Sequence, residues 1–249
     1  SQSINLTGIG DGDSGTQHLI VSATSNNTSL IPNPTVTYTS DNATGSLSYT
    51  PVANANGSAI ITILVEDTGG TEGGGDNETS ITFTVAVTAV NDEPSFTKGS
   101  DITVLEDSGT STTSNWATSI STGPSDESSQ SVTFTLTNNN NSLFSSQPAI
   151  SSSGVLTFAP TSNLNGSATV TVSLSDDGGT SNGGDDTFAN QTFTITLTAV
   201  NDEPSFTTNN ITILEDSGSN STSSWASNLS KGASNESSQT LTFSVSNNN

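Results

Sequence analysis

The stretch Ala-Val-Asn-Asp-Glu-Pro-Ser-Phe-Thr occupies residues 89–97 and recurs unchanged at residues 199–207. Each copy is followed by Leu-Glu-Asp-Ser-Gly, at residues 105–109 and 214–218. A spacing of about 110 residues is too long for a helical or leucine-rich solenoid unit and matches one small domain per repeat. The sequence therefore predicts three tandem modules: residues 1–93 without their first strand, a complete module at 94–203, and the first part of a third at 204–249.

The partial modules at the two ends have two interpretations. A window on a longer repetitive polypeptide accounts for both of them. The alternative is a subunit whose partial ends complete one another between chains by strand exchange. Residues 204–249 number 46 and residues 1–93 number 93, so together they exceed one period. This overlap favours the window.

The chain is strongly acidic although it carries few charged residues. Its 24 Asp and Glu residues stand against two lysines, giving a net charge of −22, yet only 10% of all residues are charged. Nucleic acids and anionic membranes attract basic clusters, so neither is an expected partner. Calcium is the expected counterion because it binds carboxylate and carbonyl oxygens. The alternative is a solvated acidic surface that only aids solubility.

Cysteine is absent, so disulfide bonds do not hold these modules together. Bound metal is one other way to stabilise a small secreted module. No run approaches the roughly 18 apolar residues of a membrane-spanning helix, and no membrane insertion of this segment is expected.

Alternation of apolar and polar residues predicts β-strands almost throughout the chain. In residues 80–90 and 192–200 every second residue is apolar, which is typical of half-buried strands. No segment shows a sustained helical period. Further strands are predicted at residues 18–24, 46–49, 59–65, 102–105, 131–137, 155–158 and 168–174. Six or seven short strands per module predict an all-β fold of tandem, Ig-like antiparallel β-sandwich modules. Trp116 and Trp225 occupy equivalent positions and are expected to anchor the cores.

Acidic residues gather around the repeated motif, which we call the joint. Calcium takes about six to eight oxygen ligands, usually from separate segments. Carboxylates held close together repel one another unless a cation neutralises them. The residues expected to converge at the first joint are Asp67, Asp76, Asp92, Glu93, Glu106, Asp107, Asp126 and Glu127. The alternative is an acidic linker that works through backbone hydrogen bonds alone.

The segment Val90-Asn91-Asp92-Glu93-Pro94-x-Phe96 resembles the Asp-x-Asn-Asp-Asn-x-Pro-x-Phe linker of cadherin repeats. Because the motif recurs at domain spacing after a strand, the whole chain looks most like the bacterial cadherin-like, Ig-like tandem repeats of large calcium-dependent surface adhesins. The resemblance implies an extracellular, cell-surface location. It also implies that one β-sandwich follows another directly, with Ca²⁺ at the joints.

The resemblance also implies roles for individual residues. Glu106 matches the glutamate near the start of a cadherin repeat, and Asp67 matches the aspartate of its Ala-x-Asp-x-Gly segment. In the linker Asp92 is a carboxylate ligand, and Asn91 donates a backbone or amide oxygen. Asp126 and Glu127 match the paired acids of the following domain. The second joint repeats the set with Asp176, Asp185, Asn201, Asp202, Glu203, Glu215, Asp216, Asn235 and Glu236.

One departure from the family pattern limits the expected number of ions. The Asp-Arg-Glu segment of cadherins is replaced by Asn-Ala-Asn at residues 54–56 and by Asn-Leu-Asn at residues 163–165. The missing glutamate removes a ligand, so we expect one or two ions per joint rather than three.

Catalysis is not expected from this sequence. An enzyme needs a positioned base, nucleophile or Lewis acid. The single histidine, His18, is replaced by Ser131 at the equivalent position of the second module, and cysteine is absent. The sequence favours a calcium-stiffened adhesive stalk or fibre on a cell surface, whose partners are calcium and neighbouring repeats. The alternative is a self-assembling filament with modules packed or strand-exchanged between chains. A glycan or cell-surface ligand is expected only elsewhere in the parent protein.

Overall fold

A computed structural model describes residues 1–12 and 17–247. Strands make up 44% of the chain, and the helices in the described part are single 3₁₀ turns of three residues each, so the predicted all-β class is confirmed. The chain divides into two compact units. Unit 1 consists of Ser1–Asp92, Gly123–Gln130 and Gly178–Asp185, and unit 2 consists of Glu93–Thr122, Ser131–Asp177 and Asp186–Asn249. The module boundaries after residues 93 and 203 stay predictions.

Unit 1 is a sandwich of two three-stranded antiparallel sheets. One sheet has the order β1-β4-β3 and the other the order β2-β5-β6. Leu6, Ile31, Leu47 and Ile61 are buried between them. The strands are β1 (Gln2–Thr7), β2 (Leu19–Ser25), β3 (Thr35–Thr37), β4 (Thr44–Tyr49), β5 (Gly57–Asp67) and β6 (Glu78–Val87).

Unit 2 contains a four-stranded sheet of order β11-β14-β15-β8 and a three-stranded sheet of order β12-β13-β9. Two-stranded pairs, β10-β7 and β16-β17, complete it. Its strands are β7 (Ser95–Thr97), β8 (Ile102–Leu105), β9 (Ser111–Thr113), β10 (Thr118–Ser121), β11 (Thr133–Asn138), β12 (Phe144–Ile150), β13 (Leu156–Pro160), β14 (Gly166–Ser175), β15 (Thr187–Thr198), β16 (Ser205–Thr208) and β17 (Ala226–Ser230).

Strict alternation explains the long strands of unit 2. In β14 the side chains of Ala168, Val170, Val172 and Leu174 point into the core, and the Thr and Ser residues between them are half-buried or exposed. Successive side chains of a strand point to opposite faces, so this order covers one face with apolar groups and leaves the other polar. The predicted antiparallel β-sandwich modules are therefore confirmed.

Strand β8 is the exception to the antiparallel pattern because it pairs in parallel with β15. Ile102 lies opposite Ile195, and Leu105 lies opposite Thr198. Ile102 and Val104 pack against the core of unit 2. Parallel strands end on the same side of a sheet, so the residues that follow β8 lie beside those that follow β15.

The core of unit 2 is built around aromatic side chains. The Trp116 ring lies 4.3 Å from that of Phe193, and the Trp116 Nε1–H donates to the Ser100 carbonyl oxygen at 2.9 Å. Phe96 of β7 packs edge-to-face on Phe134 at 5.1 Å and on Phe188 at 5.5 Å. The prediction that Trp116 anchors a core is confirmed.

The equivalent prediction for Trp225 is wrong. Trp225 is 38% exposed, whereas Trp116 is 3% exposed, although its Nε1–H makes the same kind of bond, to the Asn209 carbonyl at 2.7 Å. Trp116 is buried against Phe193 of β15, and the sequence contains no third copy of that strand. The described residues after Trp225 include no strand equivalent to β15, so its ring stays partly exposed in this structure.

Residues 94–203 form nine strands rather than the six or seven predicted. The extra ones include β7, β9 and β10, which are three or four residues long, too short to show a period in the sequence. Among the residues described, no helix is long and apolar enough to cross a membrane.

Candidate functional site

The acidic residues of unit 2 converge where β8 and β15 end. Glu106 directly follows β8 and is 1% exposed. Its backbone N–H donates to the Thr198 carbonyl at 3.0 Å, and its Oε1 accepts from the Val200 N–H at 2.9 Å. The Asn235 amide Nδ2 donates to the same Oε1 at 2.9 Å. Glu106 therefore lies at the second joint together with its neighbour Asp107, and the predicted place of both residues at the first joint is wrong.

A second glutamate of unit 2 is fixed beside the linker. The Asp202 N–H donates to Glu236 Oε1 at 2.7 Å, and Gln239 Nε2 donates to the same oxygen at 3.1 Å. The other oxygen, Oε2, lies where a side chain at Gly232 would stand, because a Cβ added there would overlap it. Gly232 also has a φ of +120°, which side chains rarely adopt. Glycine is thus required for Glu236 to reach the linker.

Four oxygen atoms at this place are buried and make no hydrogen bond within the part of the chain that the structure describes. They are Glu106 Oε2, Asp202 Oδ2, Asn235 Oδ1 and Glu236 Oε2. A buried polar atom without a partner costs free energy, and native structures contain few of them. Three carboxylates and one amide oxygen instead form a donor set of the kind that hard cations prefer. We call Glu106, Asp107, Asp202, Asn235 and Glu236 the second-joint cluster.

The cluster is electrostatically unfavourable without a counterion. Burial raises the pKa of Asp202 above its ordinary value of 3.8, and the negative charges of Asp107, Glu236 and Glu106 raise it further. A raised pKa in the folded state means that the native state holds its proton to higher pH than the unfolded chain does. Stability contributed by this group is therefore lost as pH rises from about 3.8 through the folded-state pKa.

The side chains of the cluster do not yet form a coordination shell. Across residues 1–12 and 17–247, no group of three or more His, Cys, Asp or Glu side chains is arranged to hold a metal ion as it stands. Asp107 is exposed, and its Oδ1 accepts from the Asn163 N–H at 3.1 Å. A cation at this place would need side-chain movement, for which Asp107 and the half-buried Asp202 have room.

Unit 1 contains a matching arrangement, the first-joint cluster of Asp92, Asp126 and Glu127. The Asp92 N–H donates to Glu127 Oε1 at 2.7 Å, as the Asp202 N–H does to Glu236. The Glu127 carboxylate lies against Gly123, where an added Cβ would overlap its Oε2. Asp126 Oδ2 accepts from Asn56 Nδ2 at 3.1 Å. Asp92, Asp126 and Asn56 line one cleft of about 200 Å³.

The linker asparagines use their side chains for local hydrogen bonds. Asn91 Oδ1 accepts from Gln130 Nε2 at 2.7 Å, and Asn91 Nδ2 donates to the Asp185 carbonyl at 2.7 Å. The Asp185 N–H donates to the Asn91 carbonyl at 2.9 Å. In unit 2, Asn201 Oδ1 accepts from Gln239 Nε2 at 2.8 Å. Both oxygens of Asn91 thus already accept a hydrogen bond. Asp185 lies beside Asn91 in unit 1, so its predicted place at the second joint is wrong.

Sequence reasoning missed Gln130 and Gln239 as functional residues. Each lies almost the same distance along the chain from its asparagine, 39 residues from Asn91 and 38 from Asn201. That repeated spacing is the sequence signal that could have identified them.

Asp67 and Asp76 lie together at another place in unit 1. They line a pocket of about 290 Å³ with Asp11, where β5 ends and β6 begins. Asp67 Oδ1 accepts from the Gly69 N–H at 2.7 Å, and Asp76 Oδ1 accepts from the Glu78 N–H at 3.3 Å. The end of β5 pairs with the start of β6, so both residues lie at the opposite end of the sheet from Asp92, and their predicted place at the first joint is wrong.

The other predicted ligands of unit 2 do not join the cluster. Asp176 follows β14, whose end pairs with the start of β15, so it lies at the opposite end of the sheet from Asp202. Its predicted grouping with Asp202 is therefore wrong. Four further predicted ligands are exposed to solvent: Glu93, Glu203, Glu215 and Asp216.

Comparison with known proteins gives little further guidance. No protein-family model matches the chain, and no curated protein is significantly similar to it. Among solved structures, the ectodomain of human desmocollin-1 is 16% identical and gives a TM-score of 0.38, over 74% of this chain and 35% of that one. The endo-fucoidan hydrolase MfFcnA4 of glycoside hydrolase family 107 is 16% identical with a TM-score of 0.28, over 73% and 24%. The chain thus spans about a third or less of these proteins, at scores too low to assign a family.

Proposed function

We propose that this chain is part of an extracellular, cell-surface array of β-sandwich repeats whose joints bind Ca²⁺, as in an adhesive stalk or fibre. The observation that supports the proposal is the set of four buried, unpartnered oxygens in the second-joint cluster. Calcium prefers carboxylate and amide oxygens and tolerates irregular geometry. Burial and the neighbouring carboxylates raise the pKa of Asp202, and a bound cation would offset both effects by stabilising the ionised carboxylate.

In this proposal Glu106, Asp202, Asn235 and Glu236 hold the ion, and Asp107 completes the site from its exposed side. These residues come from three segments that are far apart in the sequence. An ion bound by all three ties the end of β8, the linker and the turn at residues 234–236 together. The linker then has one favoured conformation, which is what a stiff array of repeats requires. Asn163 and Asn165 replace the acids of the cadherin pattern, so one or two ions per joint are proposed.

The first-joint cluster is proposed to act in the same way in unit 1. The bond from the Asp92 N–H to Glu127 repeats the bond from the Asp202 N–H to Glu236, both at 2.7 Å. A glycine accommodates the glutamate at each place. Extracellular calcium modules bind with dissociation constants of about 10⁻⁴–10⁻³ M, a range that suits a surface protein in a calcium-rich medium.

Calcium removal tests the proposed function. Metal-free chain is compared with chain in excess Ca²⁺ by thermal unfolding and by small-angle X-ray scattering, with Mg²⁺ at equal ionic strength as control. We expect Ca²⁺ at about 100 times its dissociation constant to stabilise the fold by about 2.7 kcal/mol per site. We also expect the radius of gyration to be larger with Ca²⁺, because flexing at the joints is reduced. Identical unfolding and scattering with and without Ca²⁺ would overturn the proposal.

A further inference from the structure

The turn between β14 and β15 carries the pair Asn182-Gly183 at two exposed positions. The backbone of Asn182 has a φ of 59° and a ψ of 20°, and Gly183 has a φ of +88°. Residues other than glycine, asparagine and aspartate rarely adopt this left-handed conformation. The equivalent turn of unit 1 has Gly73 at the place of Asn182, with a φ of 71° and a ψ of 10°. The turn therefore restricts this position to glycine or to a residue such as asparagine.

An asparagine that is followed by glycine is chemically reactive. The Gly183 backbone nitrogen can bond to the side-chain carbonyl carbon, Cγ, of Asn182, and ammonia leaves with the proton of that nitrogen. The product is a cyclic succinimide. Water then adds to either of the two ring carbonyls and opens the ring to aspartate, or to isoaspartate, in which the main chain runs through the former side chain. Glycine allows the attack because it has no side chain to hinder the approach, and the reaction consumes only water.

The chain contains two other asparagine–glycine pairs, at residues 56–57 and 165–166. In both pairs the glycine belongs to a sheet, because Gly57 begins β5, Gly166 begins β14, and each is paired with a neighbouring strand. The glycine nitrogen must turn towards Cγ before the ring can close, which requires rotation about the ψ of the asparagine. Ring closure at these two pairs therefore waits for local opening of the strand end.

The surroundings of Asn182 impose neither restraint. Its side chain makes no hydrogen bond to any described residue, whereas the Asn56 Nδ2 donates to Asp126 Oδ2 at 3.1 Å. The glycine after Asn182 lies in a single 3₁₀ turn outside the sheets. Of the three pairs, Asn182-Gly183 is therefore the best placed to react.

The same turn holds the linker asparagine of unit 1. The Asp185 N–H donates to the Asn91 carbonyl at 2.9 Å, and Asn91 Nδ2 donates to the Asp185 carbonyl at 2.7 Å. Gly184 packs so closely that an added Cβ would lie 3.1 Å from the Asn91 nitrogen. Because Gly184 and Asp185 directly follow the reactive pair, a change in the main chain at Asn182 shifts both of these contacts.

We propose that Asn182 undergoes spontaneous deamidation and that its isoaspartate product loosens the hold of this turn on Asn91. Isoaspartate adds a carbon atom to the main chain and removes the left-handed residue that shapes the turn. Gly184 and Asp185 then cannot keep their places against Asn91. The fraction of loosened turns rises with the age of the chain, so the turn acts as a chemical clock on the linker. Calcium takes no part in this reaction, which is therefore independent of the proposed function.

Ageing of the purified full chain tests the reaction. The chain is incubated at mildly alkaline pH, which promotes attack by the backbone nitrogen, and is digested with pepsin at acidic pH, which suppresses further deamidation. Mass spectrometry follows the conversion of each asparagine separately. We expect Asn182 to convert at least about tenfold faster than Asn56 and Asn165, because those two wait for strand opening. No conversion of Asn182, or conversion at the rate of the other two, would overturn the proposal.

Hydrogen–deuterium exchange, followed by NMR, tests the consequence. Asn182→Gly is the matched control, since it removes the reactive amide and repeats the residue found at Gly73, so it is expected to fold. We expect the Asp185 N–H to exchange at least about tenfold faster in the converted chain than in the fresh one, because its bond to Asn91 opens more often. Asn182→Gly aged in the same way should exchange at the fresh rate. Unchanged exchange in the converted chain, or equal acceleration in the aged variant, would contradict the proposal.

Discussion

At the scale of single residues, the most informative arrangement is a glutamate that lies against a glycine. Glu127 and Glu236 each accept the N–H of a linker aspartate with one oxygen and place the other against a glycine. The two copies use the same three residue types at almost the same spacing, with 35 residues from Asp92 to Glu127 and 34 from Asp202 to Glu236. Because the hydrogen bond and the glycine both recur, we infer that the repeated sequence determines where the glutamate carboxylate lies.

Replacement of Gly123 by alanine tests how tightly this carboxylate is placed. The added Cβ would overlap Glu127 Oε2, and a φ of +137° is itself unfavourable for alanine. Gly109→Ala is the matched control, since Gly109 also has a positive φ, +73°, but nothing lies within 4 Å of the added Cβ. We expect the control to cost about 1 kcal/mol and Gly123→Ala to cost at least about twice as much, by urea unfolding. Equal destabilisation by Gly123→Ala and Gly109→Ala would show that the Glu127 carboxylate moves aside without a free-energy cost.

The sequence identified the acidic residues of the joints but misplaced several of them, namely Asp67, Asp76, Glu106, Asp107, Asp176 and Asp185. The clusters contain five of the predicted residues, Asp92, Asp126, Glu127, Asp202 and Glu236. Asp92 and Asp202 belong to the repeated linker motif, and the others occupy equivalent positions in the two copies of the repeat. Glu106 and Asp176 were assigned to their joints by the family pattern and the repeat, but β8 carries Glu106 away from the first joint and β15 separates Asp176 from the second. Residue types predict which side chains can bind a cation, but the direction of each strand decides which of them meet.

At the scale of elements, β8 determines both where the second-joint cluster forms and how the core of unit 2 is covered. Its parallel pairing with β15 brings Glu106 to Val200, and its side chains bury the inner face of β15. A four-residue strand cannot show its pairing partner in its own pattern, and alternation is the same for parallel and antiparallel neighbours. The long strands β5, β6, β14 and β15 were predictable because their alternation runs over ten or more residues.

The two tryptophans provide a direct comparison of covered and uncovered elements. Trp116 is 3% exposed and Trp225 is 38% exposed at equivalent positions. We expect Trp116→Ala to destabilise the fold by about 3–5 kcal/mol, as for other buried aromatic residues. Trp225→Ala should change stability by less than about 0.5–1 kcal/mol, since much of its ring stays in water in either case. Guanidinium unfolding followed by circular dichroism measures both. A Trp225→Ala cost equal to that of Trp116→Ala would mean that the third module has a closed core.

At the scale of the whole molecule, the repeat connects composition to function. The chain has a net charge of −22 and no disulfide bonds, and it concentrates carboxylates at two places that recur with the period. Surface threonine and serine cover the outward faces of the sheets, so the acidic clusters are the chemically distinctive part of each module. On our account, cation binding at these clusters stiffens an array of modules.

The central claim is that the second-joint cluster binds calcium, and isothermal titration of Ca²⁺ into metal-free chain tests it most directly. The measurement compares the unmodified chain with Asp202→Asn and with Asp41→Asn, an exposed acid outside the clusters, so each variant loses one negative charge. We predict that the unmodified chain and Asp41→Asn bind Ca²⁺ equally. We predict that Asp202→Asn loses one site or binds there at least about tenfold more weakly. An unmodified chain that binds no Ca²⁺, or equal binding by all three proteins, would contradict the account.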